Sequence, residues 1–367
     1  MNRHRTTSPF PSQGPLAPDQ VTGRDDLVAL VAKHLAERRP VAVVGPRGYG
    51  KTSLLRRVQR DLDDAGIAPV WIDLYALTSM IDLAARIDEG LVGIRGALGP
   101  VVERMAAGAF LRLGGVALEQ RRAGRRRPDP ARTVASQLTV LARAGSEDPV
   151  AVVLDEMAYL ERVEGAPALV RHGLGDQRRE LAVAVTATHA CDVRVLFGDP
   201  GGAGGEAVEV IEVAALAPEV VIELVVEGFD RSGRRPGPLP ERVAELAGGH
   251  PRRTMQLADA AWRRTPPGGQ ATAQTWDDTV ESTRRAVAGD LEWLYSTLSP
   301  GQQKVLRSLA HHGTVYGTGA RLHDLAKGTA TEARRALEAQ GHLVRRGTGC
   351  SLVDPLFADW IRQRFPL

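Results

Sequence analysis

The residues of this chain best suited to chemistry are Gly45-Pro46-Arg47-Gly48-Tyr49-Gly50-Lys51-Thr52, which fit GxxxxGK[ST] at every fixed position. Glycines at these spacings let successive backbone N–H groups curl around phosphate oxygens with no Cβ in the way. The N-terminus of a following helix adds partial positive charge. Lys51 is expected to reach the outer phosphates, and the Thr52 hydroxyl to ligate a magnesium ion. The expected cofactor-binding set runs from Gly45 through Ser53, with no individual role for the free positions Arg47 and Tyr49.

A second candidate lies about a hundred residues on. Leu154-Asp155-Glu156 ends an apolar run of Val and Ala. Asp155 is placed to hold the same magnesium ion, and Glu156 to polarise an attacking water as general base. Taken alone, an apolar strand ending in Asp-Glu is equally a helix cap. After a phosphate loop at this separation it reads as catalytic, with Lys51, Asp155 and Glu156 as the acting residues.

These residues need a parallel sheet to position them. Val41-Ala42-Val43-Val44, Pro69 to Asp73, Val150 to Leu154, Leu181 to Val185 and Val208 to Val213 are short apolar runs without alternation, as strands buried on both faces require. Helical patterns separate them, with Leu27, Leu30, Val31 and Leu35 marking the first. Strand–helix alternation implies an α/β fold with crossover helices. After Leu216 strand signals stop. Pro218–Glu227, Pro240–Leu246 and Arg252–Ala261 read as an all-helical lid, and Thr265-Pro266-Pro267-Gly268-Gly269-Gln270 as a linker. The expected organisation is a flexible arm over 1–18, an α/β core over 19–214, a lid over 215–264, a linker and connecting helix over 265–298, and a last module over 299–367.

Bulk properties exclude several classes. Of 367 residues, 43% are hydrophobic and 25% charged, an ordinary globular balance. Two cysteines, Cys191 and Cys350, lie far apart and show no zinc spacing. The start of the chain has no apolar signal core, and no run nears the roughly 20 apolar residues of a membrane helix. A cytoplasmic setting and no membrane partner are expected. The net charge of +3 is too small to indicate nucleic acid by itself. The run Arg121 to Arg127 reads as an exposed basic loop.

The phosphate loop, the Asp155-Glu156 pair and Gly249-His250-Pro251 within a helical lid together resemble the AAA+-like signal-transducing (STAND) P-loop NTPases. The resemblance is to their archaeal-ATPase-like branch, related to origin-recognition ATPases, and runs from about Val21 to Leu367. It implies ATP as the nucleotide, with Mg²⁺. It also implies that Gly23 and Arg24, in Val21-Thr22-Gly23-Arg24-Asp25, close over the adenine, the alternative being an ordinary helix start. Thr186 and Thr188 sit where a γ-phosphate sensor is expected. Pro251 would pack on the nucleotide, and Arg252, with Arg253 second, would approach the phosphates. Two departures stand out: 198–205 lacks the arginine finger of ring-forming relatives, with Arg194 the nearest basic residue upstream, and His189 stands near a position where relatives carry Arg.

The last module reads as helix, helix, helix, two short strands, helix: a winged helix-turn-helix. Leu322, Leu325 and Ala326 mark the second helix, Thr331 to Gln340 the third. Gly347-Thr348-Gly349 turns between the strands. Arg334 and Arg335 lie on the recognition-type helix, and Arg345 and Arg346 on the wing, as candidate contacts to double-stranded DNA. The alternative is a module that binds protein. The leading expectation is therefore an ATP-driven switch coupled to DNA. Its alternatives are a DNA-binding regulator in which the nucleotide is structural, and a protein-directed signalling NTPase.

Overall fold

The computed structural model describes residues 7–92, 129–175, 181–198, 208–317, 325–346 and 349–367. The Arg121–Arg127 run, residues 199–205 and Leu322 lie outside the described residues. Contacts divide the chain into two compact units. One comprises Ala17–Gly45 and Lys51–Val213, the other Pro46–Gly50, Ala214–Leu367 and the described residues up to Leu16.

The first unit holds a parallel sheet of β1 (Val41–Val44), β2 (Ala68–Asp73), β3 (Val150–Asp155), β4 (Leu181–Ala187) and β5 (Glu209–Glu212), in the order β2-β3-β4-β1-β5. Every residue of β1, β3 and β4 is buried, which is why they read as unbroken Val/Ala/Leu runs. The edge strand β5 buries only Ile211. Helices α1 (Asp25–Ala36), α2 (Lys51–Asp64), α3 (Met80–Val92), α4 (Pro130–Glu147) and α5 (Ala166–Gly175) connect the strands. Their apolar faces and the sheet make one core, with Ile72, Leu83, Leu138, Val152 and Val183 nearly or fully inaccessible. Each such side chain contributes about 1.5–3 kcal/mol by leaving water. The buried stripe of α1 uses Val28, Val31, His34 and Leu35. Leu30, expected on that stripe, is 40% exposed.

The second unit begins its helical part with α6 (Pro218–Arg231), α7 (Leu239–Ala247) and α8 (Pro251–Arg264). Phe10 is packed into their core, its ring 5.8 Å from that of Phe229. A Cβ on Gly228 would meet the Phe10 ring at 2.3 Å, so that glycine makes room for the aromatic. The expected flexible arm is thus corrected for its described part: one aromatic with a matching hole anchors a polar, Pro-rich segment.

α9 (Ala273–Thr297) leads to α10 (Pro300–His312), α11 (Lys327–Ala339), the antiparallel pair β6 (Leu343–Arg346) and β7 (Gly349–Leu352), and α12 (Pro355–Arg364). This is a winged-helix arrangement around Leu291, Leu306, Leu337, Phe357 and Ile361. Ser299 opens α10 by a reciprocal cap with Gln302, and Asp354 opens α12 by accepting from Leu356 N–H. Leu325 and Ala326, expected in the second helix, instead precede α11, with Ala326 at its N-cap in extended conformation.

Candidate nucleotide site

The sheet register brings the acidic pair and its partners together. Leu154 pairs with Val185 and Val43 with Thr186, so the ends of β1, β3 and β4 come out side by side. Strand β1 lies between β4 and β5, where the direction of chain winding reverses, the usual place for a ligand at the carboxyl edge of such a sheet.

Asp155 is 4% exposed. The Thr52 hydroxyl lies 3.0 and 3.2 Å from its two oxygens, and the Thr186 hydroxyl donates to Oδ1 at 2.6 Å. Burial pushes the Asp155 carboxyl above its ordinary range, against the pull of the Thr186 and Thr52 hydroxyls, and the charges of Glu156 and Asp73 push the same way. Glu156 follows at φ 59°, ψ 48°, the left-handed region. Its N–H donates to Thr186 Oγ1 at 2.7 Å, which helps to hold that unfavourable backbone. Thr186 is fully buried, so both bonds are shielded from water.

Helix α2 starts at Lys51, directly after the loop. Lys51 is 5% exposed, and its Nζ donates to the Gly45 carbonyl at 2.8 Å. Ser53 is buried in the first turn of α2. Gly48 and Gly50 have φ of +84° and +86°, which side-chain-bearing residues rarely adopt, as a loop folded around phosphates requires. Arg47 is exposed and Pro46 buried.

Gly23 is exposed and Arg24 stands at the N-cap of α1. Sequence reasoning passed over Arg57 on α2, which ties this box down: Nη1 donates to the Val21 carbonyl at 2.7 Å and Nη2 to Asp25 at 2.5 Å. An Arg in a helical pattern carries no sign of so distant a partner.

In the second unit Pro251 is the first residue of α8 and Arg252 is exposed, its N–H donating to the Gly48 carbonyl at 3.3 Å. Arg253 is engaged elsewhere. Its Nε donates to Asp354 Oδ1 at 2.9 Å and a second bond joins Nη2 to Oδ2, so its guanidinium is committed to the start of α12. His250, quoted from the sequence only as part of the lid motif, was given no role there. It is 4% exposed, its Nδ1 accepts from Arg253 N–H, and its ring meets Tyr49 edge-on at 5.1 Å. Burial lowers its pKa to about 4, with Asp354 opposing, so the ring is neutral near pH 7.

On the winged module, Arg335 is exposed on α11, whereas Arg334 is turned toward Glu338 at 3.5 Å with its side chain only 22% exposed. Arg345 reaches the same Glu338 at 3.3 Å. The Arg346 side chain lies outside what is described. Among the described residues no helix is long and apolar enough to cross a membrane.

Residues 20–188 match the AAA ATPase domain family. Among curated proteins none matches by sequence. The fold is similar to that of the Walker-type ATPase PABY2304 of Pyrococcus abyssi, at 18% identity and TM-score 0.72, over 96% of this chain and 99% of that one. It is also similar to the ORC2 protein of Aeropyrum pernix, solved as ADPNP–ADP complexes, at 12% identity and TM-score 0.59, over 97% and 98%. The ORC1 protein of the same organism, solved in complex with DNA, matches at 16% identity and TM-score 0.52, over 96% and 94%. At these identities the likeness is one of fold. Together with the strand order and the loop that follows β1, the family match identifies residues 20–188 as an AAA ATPase domain, and the chain has the P-loop NTPase fold that it shares with these archaeal structures.

Proposed function

We propose that the protein binds and hydrolyses ATP with Mg²⁺ and works as a nucleotide-driven switch in the cytoplasm, with the winged helix as its output module and double-stranded DNA as the partner. The observation that supports this most is the convergence of the Thr52 and Thr186 hydroxyls on the buried Asp155, with Thr186 also accepting the Glu156 N–H, beside a helix that starts at Lys51.

The donor set suits a divalent cation. A hydroxyl and a carboxylate lie within hydrogen-bond reach of each other, and a buried carboxylate whose pKa is raised by desolvation gains from a positive charge. Thr52 and Asp155 would hold Mg²⁺, which when bound draws charge from the phosphate oxygens. Lys51 exchanges the Gly45 carbonyl for phosphate oxygens, a stronger, charge-assisted bond. The loop N–H groups between Gly45 and Ser53 bind and orient the phosphates. Glu156 takes up the proton of the attacking water, its carboxylate aimed by a backbone conformation that Thr186 helps to hold. The domain limits we assign are 19–214 for the core, 215–264 for the lid, 265–298 for the connector and 299–367 for the winged module.

A second reading is favoured by one observation. Arg334 and Arg345 are both drawn to Glu338, which reduces the free positive charge that the module offers to DNA. On that reading the winged module binds protein, and the NTPase is a signalling switch.

The test is ATP binding and turnover with purified wild type, Lys51→Ala and Glu156→Gln, with Mg²⁺ and with or without duplex DNA. We expect Lys51→Ala to lose binding, and Glu156→Gln to bind normally while turning over at least 100-fold more slowly. Wild-type affinity in Lys51→Ala would refute the nucleotide reading. Turnover indifferent to DNA at low salt would move the weight to the protein-directed switch.

A further inference from the structure

The second unit contains a continuous path of contacts from the phosphate loop to the winged module. Its first link is Gly48. A Cβ built there would meet His250 Cε1 at 2.6 Å, so the imidazole rests directly on the glycine, while the Gly48 carbonyl accepts from Arg252 N–H. The second link is Tyr49, 5% exposed, whose ring stands at 71° to that of His250. The third is Arg253, whose N–H is accepted by His250 Nδ1 and whose guanidinium grips Asp354 with two bonds. Asp354 is also the N-cap of α12.

Tyr49 borders a cavity of about 730 Å³ whose other walls include Gly248, Trp276, Val353 and Pro355. Val353 and Pro355, the neighbours of Asp354, thus border the same cavity as Tyr49. A packed side chain beside open volume can take a second position, and a packed path with two arrangements is what carries coupling between sites.

We propose that His250 and Tyr49 are positioning residues that tie the phosphate loop to the winged module through Arg253 and Asp354, so that nucleotide in the loop and the packing of α12 are energetically linked. The inference rests on the nucleotide reading above. The links act through packing and hydrogen bonds: a neutral His250 offers a flat ring to Gly48, and its Nδ1 lone pair orients the backbone from which the Arg253 side chain springs. Linkage is reciprocal: the factor by which bound nucleotide shifts the equilibrium between two packings of α12 is the factor by which that packing shifts nucleotide affinity.

The full chain serves for the test. ATP affinity with Mg²⁺ is measured for wild type, His250→Ala, Tyr49→Ala and Asp354→Asn. Amide hydrogen exchange over 349–364 is followed with and without ATP. Asp359→Asn is the control, because Asp359 pairs with Arg284 at 2.8 and 3.0 Å on the same helix but away from the loop. We expect nucleotide to change exchange over 349–364 in wild type. His250→Ala and Asp354→Asn should shift ATP affinity about 5- to 20-fold and abolish that change, whereas Asp359→Asn should lower thermal stability and leave ATP affinity within twofold. Wild type that binds ATP with no change in exchange, or His250→Ala and Asp354→Asn variants with wild-type affinity, would overturn the inference alone. Wild type that binds no ATP would overturn the nucleotide reading and this inference with it.

Discussion

The Thr186 hydroxyl lies 2.6 Å from Asp155 Oδ1 and also accepts the N–H of Glu156. One buried oxygen thus aims the carboxylate assigned to magnesium and holds the backbone of the carboxylate assigned to water. Thr186→Val keeps the shape and removes both bonds. We expect turnover to fall about 10- to 100-fold, as for loss of a positioned catalytic group, with ATP affinity changed less than threefold. Thr186→Ser should recover most of the rate. Single-turnover hydrolysis checks this, and a Val variant at wild-type rate would remove Thr186 from the mechanism.

Asp155 is more easily protonated in the fold than in the unfolded chain, because burial disfavours its charge. Its folded-state pKa is raised, so its contribution is most favourable below the ordinary carboxylate pKa and is lost as pH rises through the raised value. At pH 7.5 the nucleotide-free protein carries that cost. Asp155→Asn should therefore raise the melting temperature of the free protein by roughly 2–4 °C, about 1 kcal/mol. The same variant should lose most of the further stabilisation that wild type gains from Mg²⁺-ATP. Thermal melts with and without nucleotide decide it.

His250 titrates the other way. Its pKa is lowered to about 4 by burial, with Arg253 and Arg252 adding to the effect and Asp354 opposing it. A depressed histidine keeps its stabilising contribution above its unfolded pKa of about 6.5 and loses it as pH falls toward 4. Up to about 3 kcal/mol of stability should vanish across that window. Urea unfolding from pH 7 to pH 4.5 measures it. His250→Asn should flatten the slope, and an unchanged slope would show that other groups dominate.

Arg334 and Arg335 are neighbours with different surroundings. Lys327, Thr331, Glu332 and Arg335 line one groove on α11, while Arg334 faces Glu338. If DNA is the partner, Lys327→Ala and Arg335→Ala should each weaken binding about equally for all sequences and reduce the log–log salt slope by about 1. Arg334→Ala should lower the melting temperature instead, because it strips a partner from a half-buried carboxylate. Anisotropy titrations between about 50 and 200 mM salt give the slopes.

Much of the site was legible because its chemistry depends on residues adjacent in sequence. The glycine spacing and the Lys51-Thr52 pair define the loop locally, and a run of buried aliphatics ending in Asp-Glu needs nothing distant to be recognised. Strands β1, β3 and β4 were equally plain, since burial on both faces removes polar residues from them. The arm was misread because one Phe in a polar segment has no periodicity, and only the hole at Gly228 gives it a place.

The residue types and spacings by themselves pointed to the class of chemistry: a phosphate loop, a candidate metal-binding carboxylate and a candidate base on a parallel sheet. Tertiary structure decided the partnerships. The register of β3 and β4 brought Thr186 against Asp155 and Glu156, and packing at the start of α8 laid His250 on Gly48. It also joined Arg253 to Asp354 and drew Arg334 toward Glu338. The physical reason is that a long cationic side chain has many reachable partners, and the choice among them depends on burial and on carboxylates brought near by the fold, which no local pattern encodes.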